Sequence, residues 1–228
     1  AATEHRGWEY DLLRAQTDMS LRSIATPNNP SRIEYSEEAG LLATGNLDGT
    51  VSLYDPDSLD TVAVLKGHES EVWGLDFSPN GILLATTSRD LSVRLWDVQA
   101  RKEIGVVGRH PATPYSSKFS PDGKWLVTPG WRMHPDSNSP VGLISVWNVE
   151  TRELHKQWDA TEHPISSVAF IPDCDLCYVG CWDFQTLVYN TSNWTLNRTI
   201  HPEDSSSYKG IDWVEVSTSG DRFLTACK

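Results

Sequence analysis

The chain has 228 residues, enough for one large all-β domain or two ordinary domains. Its 19 basic and 31 acidic residues give a net charge of −12, which argues against nucleic-acid binding because affinity for phosphate requires clustered Lys and Arg. No apolar run approaches the roughly 18 residues that span a bilayer, and no signal peptide is visible, so we expect a cytoplasmic protein that does not bind membranes.

The first 25 residues precede the regular part of the sequence. Residues 1–19 are interpreted as an N-terminal extension, in which residues 10–16 have the pattern of a short helix. Residues 20–25 predict an outer β-strand, which lies directly before the first of several repeated units.

A repeat begins after this strand. Asp48, Asp90 and Asp183 occupy the same position in three similar segments, and an aromatic residue follows each of them after six positions. These aromatic residues are Tyr54, Trp96 and Tyr189. A further copy ends at Trp147, has Val141 in the Asp position and is nine residues longer. The period is therefore 42 residues, with one insertion.

Each unit contains the pattern of four short strands. In the second unit, residues 72–77 alternate, a Pro-Asn-Gly turn follows, and apolar or alternating segments occupy residues 83–87, 92–96 and 103–107. This pattern predicts a repeated antiparallel sheet. A β-sandwich is the alternative, but it does not explain a constant period.

Gly67 and His68, followed by a Leu-Trp-Asp sequence at residues 95–97, resemble the WD40 repeat. This resemblance covers residues 20–228 and implies a β-propeller with one four-stranded sheet per blade. The other units depart from the Leu-Trp-Asp motif at residues 53–55, 146–148 and 188–190.

The repeat divides the chain into four complete blades and a partial fifth. The predicted blades are blade 1 at residues 26–67, blade 2 at 68–109, blade 3 at 110–160 with an insertion at 132–140, blade 4 at 161–200 and partial blade 5 at 201–228. We expect a piece of a larger propeller of about seven blades. Alternatively, the N-terminal segment completes blade 5 and closes a five-bladed ring.

The resemblance also implies a hydrogen-bonded tetrad of His, a hydroxyl residue, Asp and Trp in each blade. Blade 2 has the full set, His68, Thr86, Asp90 and Trp96. Blade 3 keeps three members, which are His110, Thr128 and Trp147. Blades 1 and 4 keep fewer members, namely Thr44 and Asp48 in blade 1 and Asp183 in blade 4.

A His–Asp–hydroxyl set could also be a catalytic triad. However, the hydroxyl lies within an apolar strand, which favours a structural network that satisfies buried polar groups. The sequence has no other catalytic constellation, so we expect a protein that is not an enzyme.

The pair Cys174 and Cys177 lacks the second pair of ligands that a zinc site needs. We therefore expect buried thiols at Cys177 and Cys181. We expect neither a metal nor a cofactor.

The resemblance implies a scaffold that binds proteins through its top face, where the loops between second and third strands and between blades gather. Trp and Arg are enriched at binding hot spots, and several lie in these loops. The candidate partner-binding residues are Trp73, Arg89, Tyr115, Trp131, Arg132, Met133, Trp182 and Tyr208. The insertion is expected to expose Trp131 in a loop, unless Trp131 covers its own blade.

An acidic stretch at residues 201–209 favours a basic partner peptide. A second hypothesis is that the chain is a regulatory or sensor segment of a larger enzyme. Residues 6–10 resemble a stretch that precedes the propeller in bacterial proteins that fuse a serine/threonine kinase to WD40 repeats.

Overall fold

The computed structural model describes residues 28–201, 211–217 and 222–227. Every regular element in these ranges is a β-strand. The predicted extension at residues 1–19, the predicted strand at residues 20–25 and the candidate residue Tyr208 lie outside the described residues. No membrane-crossing helix occurs in the part of the chain that the structure describes.

Each repeat forms an antiparallel sheet whose strands follow one another in chain order. Blade 1 contains β1 (Pro30–Ser36), β2 (Leu41–Asn46), β3 (Val51–Tyr54) and β4 (Thr61–Leu65). Blade 2 contains β5 (Val72–Phe77), β6 (Leu83–Ser88), β7 (Ser92–Asp97) and β8 (Lys102–Arg109).

The third blade has an interrupted inner strand, because β9 and β10 both pair with β11. Blade 3 contains β9 (Thr113–Pro114), β10 (Lys118–Phe119), β11 (Trp125–Met133), β12 (Pro140–Asn148) and β13 (Glu153–Thr161). Blade 4 contains β14 (Ile165–Phe170), β15 (Leu176–Cys181), β16 (Thr186–Asn190) and β17 (Thr195–Ile200), and blade 5 contains β18 (Ile211–Val216) and β19 (Phe223–Cys227).

The apolar core lies between consecutive blades. Ala43, Val51 and Leu53 of blade 1 pack against Leu75 and Phe77 of blade 2, and similar clusters join blade 2 to blade 3, blade 3 to blade 4 and blade 4 to blade 5. Apolar side chains on both faces of a sheet require a neighbouring sheet on each side. This propeller arrangement confirms the predicted all-β fold.

One face of blade 1 remains open among the described residues. Ile33 and Tyr35 of β1 precede Leu75 and Phe77 of β5 by one 42-residue repeat. Leu75 and Phe77 are 5% and 7% exposed because blade 1 covers them, whereas Ile33 and Tyr35 are 43% and 39% exposed. The same sheet face is therefore covered in blade 2 and open in blade 1.

The turns between second and third strands share one hydrogen-bonding pattern. Asp90 Oδ1 accepts a hydrogen bond from the Ser92 N–H over 2.7 Å, and Asp48 and Asp183 accept equivalent bonds from the residue two positions on. The residues after these aspartates have left-handed backbones, with φ of 83° at Gly49, 69° at Leu91 and 68° at Phe184. Asp favours such turns because its side chain binds the backbone locally.

The predicted loop in blade 3 is shorter than expected, because residues 131–133 and 140 belong to strands, and the prediction is wrong for these residues. Trp131, Arg132 and Met133 continue β11 and pair with Gly142, Val141 and Pro140 at the start of β12. Only residues 134–139 form the turn. The insertion lengthens both strands because Trp131 also pairs with Thr113 of β9 on its other side, which supplies a second hydrogen-bonding neighbour.

Candidate functional site

The top face can be located from the sheet topology. In a four-stranded antiparallel sheet, the first strand begins, the second ends, the third begins and the fourth ends at one side. Trp73 and Tyr115 lie near the start of inner strands, whereas Arg89 and Trp182 lie in turns between second and third strands. All four candidate residues therefore lie at the same end of their blades.

The structure brings three of these candidates into contact. The rings of Trp73 and Tyr115 stack with centroids 5.0 Å apart and planes at 5°. Tyr115 also contacts Trp182, with centroids 6.0 Å apart and planes at 35°. The aromatic row defined by Trp73, Tyr115 and Trp182 thus crosses three blades, and Trp182 is its most exposed member at 39%.

Arg89 lies beside the aromatic row. Its Cζ is 5.9 Å from the centroid of the Trp73 ring, at the outer limit of a cation–π contact. Its Nη1 donates to Glu71 Oε1 over 3.2 Å, although the Arg89 side chain is largely exposed. The guanidinium is therefore accessible from solvent at the edge of the row.

The other three candidates lie on the hairpin β11–β12 and are not joined to the aromatic row by any ring contact within the described ranges. Met133 is 45% exposed, whereas Trp131 is partly buried and its Nε1 is buried without a hydrogen-bond partner. Arg132 Nη2 donates to both carboxylate oxygens of Asp159, over 3.1 and 3.0 Å. The hairpin therefore exposes Met133 more than Trp131.

The four tetrad residues of blade 2 form one continuous chain of hydrogen bonds. Trp96 Nε1 donates to Thr86 Oγ1 over 2.8 Å, and Thr86 Oγ1 lies 2.7 Å from His68 Nε2. His68 Nδ1 lies 3.0 Å from Asp90 Oδ2. All groups are satisfied when the Thr86 hydroxyl donates to Nε2 and the protonated Nδ1 donates to Asp90.

The environment of Asp90 favours its charged form. Burial opposes ionisation, but hydrogen bonds from His68, Ser92 and the Glu69 backbone outweigh it and lower the pKa of Asp90. Thr86 is fully buried and its hydroxyl is already engaged. This hydroxyl is therefore not presented to a substrate, unlike the nucleophile of a triad.

The other blades form only parts of this network. In blade 3, Trp147 Nε1 donates to Thr128 Oγ1 over 2.8 Å, but His110 Nε2 contacts the Thr128 carbonyl and not its hydroxyl. Burial lowers the pKa of His110. In blade 4, His163 Nε2 lies 3.7 Å from Asp183 Oδ2.

Blade 1 uses a residue that the sequence analysis did not select. Asn46 is fully buried, accepts from Thr44 Oγ1 over 3.1 Å and donates to Thr50 Oγ1 and Ser52 Oγ over 3.0 Å each. Asp48 instead caps the following turn from an exposed position. The amide of Asn46 thus forms the buried side-chain hydrogen bonds of blade 1, in the part of the blade where blade 2 has the His68 network.

A charged cluster on the inner strands was also not predicted. Glu34, Asp76 and Lys118 are spaced by 42 residues, so they occupy one position in three blades. Lys118 Nζ donates to Asp76 Oδ1 over 2.7 Å and to Glu34 Oε1 over 3.0 Å. Burial raises the pKa of Asp76 to about 7 against the opposing effect of Lys118, and the carboxylates outweigh burial at Lys118 and raise its pKa.

Metal ligands do not cluster within residues 28–201, 211–217 and 222–227. Cys174 is exposed, and Cys177 and Cys181 are buried thiols as predicted. Burial raises the pKa of Cys177 to about 12 and also raises the pKa of Cys181, which makes both thiols poor nucleophiles.

Comparison with known proteins agrees with this geometry. The family described as WD domain, G-beta repeat matches residues 59–97 and 153–190. The WD repeat-containing protein VIP3 of Arabidopsis thaliana is 38% identical over 71 residues, which are 31% of this chain and 20% of that protein. A chain of a solved structure titled Crystal Structure of Mitotic Checkpoint Complex matches with a TM-score of 0.72 and 22% identity, covering 86% of this chain and 58% of that chain.

The successive four-stranded blades and the interblade cores define a β-propeller. Two of its repeats are similar to the WD40 family, and the fold is that of a WD40-type propeller. It spans about a fifth of the curated relative and 58% of the solved chain.

Proposed function

We propose that this chain is a non-catalytic scaffold that binds a protein or peptide partner through its top face. The observation that carries the proposal is the aromatic row, in which three blades contribute one ring each to a continuous surface. Trp and Tyr dominate binding hot spots, and rings already held by stacking lose little conformational freedom on binding. The solved chain with the same fold belongs to a complex, which supports a role in protein assembly.

Exposed carboxylates on the top face support a basic partner. Asp48, Glu69 and Glu162 are exposed in its loops, and Glu71 lies beside the aromatic row. Carboxylates around an apolar centre attract basic side chains, accelerate association and disfavour acidic partners. We therefore propose a peptide segment rich in Arg or Lys, with an apolar or cationic side chain on the aromatic row.

The hairpin β11–β12 is the second part of the proposed surface. Met133 offers an exposed flexible apolar side chain, and Arg132 is held by Asp159. Flexible Met side chains adapt to varied partner surfaces. The alternative role, as a regulatory segment of a larger enzyme, stays a hypothesis.

Random peptides displayed on phage test the proposal. Peptides are selected for binding to the wild type. Their affinities for the wild type and for the variant Trp73→Ala/Trp182→Ala are then measured by fluorescence anisotropy. Leu154→Ala/Leu196→Ala is the matched control, because these two leucines are exposed on the outer strands β13 and β17. We expect basic peptides that bind the wild type and the control equally and lose affinity roughly 10- to 100-fold on the row variant.

The proposal also predicts that peptide affinity falls as salt concentration rises. Equal affinity for the wild type and the row variant, or selection of acidic peptides, would refute the proposal. The variant Trp131→Ala/Arg132→Ala, measured with the same peptides, shows whether the hairpin contributes to the surface.

A further inference from the structure

Arg32 belongs to blade 1, yet its guanidinium contacts three other blades. Its Nε donates to the carbonyl oxygen of Trp73 over 2.8 Å, and its Nη2 lies 3.3 Å from the carbonyl oxygen of Tyr115. The Cζ atom lies 4.4 Å from the centroid of the Trp213 ring. One side chain therefore connects the two stacked residues of the aromatic row with an aromatic residue of blade 5.

The backbone at Trp73 is held away from the regular sheet register. The pairing of β5 with β6 shifts between Val72 and Gly74, so Trp73 occupies a β-bulge. A bulge redirects a side chain and leaves backbone groups outside the ladder. Ser31 Oγ donates to the Val72 carbonyl, and Arg32 binds the next carbonyl. Two consecutive residues of β1 thus hold two consecutive carbonyls of the bulge.

Tyr115 is held in a similar way. It lies between the two short strands β9 and β10, and its N–H donates to the Pro129 carbonyl over 3.1 Å. Its own carbonyl accepts from Arg32. Because these bonds fix the backbone on both sides of the stack, they also fix the plane of each ring relative to the other.

We propose that Arg32 is the positioning residue of the aromatic row and holds Trp73 and Tyr115 in their parallel stack through the two carbonyls. A guanidinium suits this role because it presents several donors in one plane and an apolar face at once. Its face lies over Trp213, whose Nε1 donates to Glu215 Oε2 over 3.1 Å. A lysine would keep the charge but could not make all three contacts in this geometry.

Near-ultraviolet circular dichroism measures the stack without any partner. The spectrum of Tyr115→Leu is subtracted from that of the wild type, and the difference contains the signal of Tyr115 and of its contacts with Trp73 and Trp182. The same subtraction is then made in the Arg32→Lys and Arg32→Ala backgrounds. We expect the difference signal to be lost in both, while far-ultraviolet spectra remain unchanged.

Two variants control this experiment. Arg89→Ala removes the other guanidinium near Trp73, which binds Glu71 and not the backbone of the row, so the difference signal should persist. Thr86→Val disrupts buried hydrogen bonds away from Arg32, so retention of the signal there shows that general destabilisation is not the cause. If Arg32→Ala fails to fold, the difference spectrum of Arg32→Lys alone tests the positioning role.

The consequence for binding rests on the proposed function. Arg32→Lys should weaken the selected basic peptides roughly 10-fold, as expected for the loss of one or two hydrogen bonds that preorganise the surface. An unchanged difference signal in folded Arg32→Lys and Arg32→Ala would overturn the positioning role. A lost signal with unchanged peptide affinity would support the positioning role and show that binding does not depend on the parallel stack, whereas the row variant tests the proposed function itself.

Discussion

The indole N–H of Trp96 donates to the Thr86 hydroxyl over 2.8 Å and ends the hydrogen-bonded chain of blade 2. The same pair of residue types recurs in blade 3, where Trp147 donates to Thr128 over the same distance. The two hydroxyls differ in their second contact, because Thr86 also binds His68, whereas His110 binds the Thr128 carbonyl. Because of this difference, we expect the Thr86 hydroxyl to contribute more to the free energy of unfolding than the Thr128 hydroxyl.

Thr86→Val should therefore cost more stability than Thr128→Val. The first change leaves both the Trp96 N–H and the His68 Nε2 without partners, and each buried polar group left unpaired costs about 1–3 kcal/mol. The second change leaves only the Trp147 N–H without a hydrogen-bond partner. We expect losses of about 2–4 and about 1–2 kcal/mol in the free energy of unfolding, measured in urea. Equal losses would show that His68 gains nothing from the hydroxyl.

The pH dependence of Asp90→Asn follows from the lowered pKa of Asp90. A carboxylate with a depressed pKa in the folded state stabilises the fold fully above its ordinary value of 3.8 and loses this effect as pH falls below it. The stability difference between wild type and Asp90→Asn should therefore be largest near neutral pH and shrink below about pH 4.

Asp183→Asn is the control for this pH experiment. Its carboxylate is 3.7 Å from the exposed His163 and should contribute less at neutral pH. Urea unfolding at several pH values measures both variants. A difference for Asp90→Asn that grows in acid would contradict the assigned hydrogen bonds.

Leu75 and Ile33 test the energetic difference between a covered and an open sheet face. Leu75→Ala should destabilise the 228-residue chain by about 2–5 kcal/mol, because it creates a cavity between blades 1 and 2. Ile33→Ala removes a similar side chain from the same position in blade 1 and should cost less than about 1 kcal/mol. Equal losses in urea denaturation would show that another part of the chain covers Ile33 in solution.

The sequence was sufficient to predict the repeated sheet and the blade 2 tetrad because both depend on local spacing. The 42-residue period also placed Trp73 and Tyr115 in one repeat position, although their stacking required the geometry of two neighbouring blades. Arg32 was missed for a physical reason. Its repeat equivalent is Gly74, so no pattern selects it, and its contacts reach blades that are distant in sequence.

Two further features show where sequence patterns were insufficient. The 42-residue spacing of Glu34, Asp76 and Lys118 is present in the sequence, but it predicts no ion pair unless the inner strands are known to face one another. The expectation that Trp131 lies in a loop was wrong, because Pro and Asn near the turn gave no sign that its backbone pairs with Thr113 and Gly142.

The Lys118 cluster provides the final prediction. Lys118→Met retains the length of the side chain but removes the ammonium that binds Asp76, so a buried carboxylate loses its cation. Breaking a buried ion pair from one side costs about 3–5 kcal/mol. Without Lys118 the pKa of Asp76 should rise further, and because the folded state then binds a proton more tightly, the loss should shrink as pH falls from about 8 to about 5.

The double variant Lys118→Met/Asp76→Asn separates charge from packing. The amide introduced by Asp76→Asn carries no charge, and its oxygen could still accept the backbone bond that Asp76 Oδ2 receives from the Phe119 N–H over 2.6 Å. We expect the double variant to recover at least about 1–2 kcal/mol relative to Lys118→Met, because an unpaired buried charge costs more than a neutral amide. If the loss of the double variant instead equals the sum of the losses of Lys118→Met and of Asp76→Asn, the two side chains are not coupled, which would contradict a stabilising ion pair.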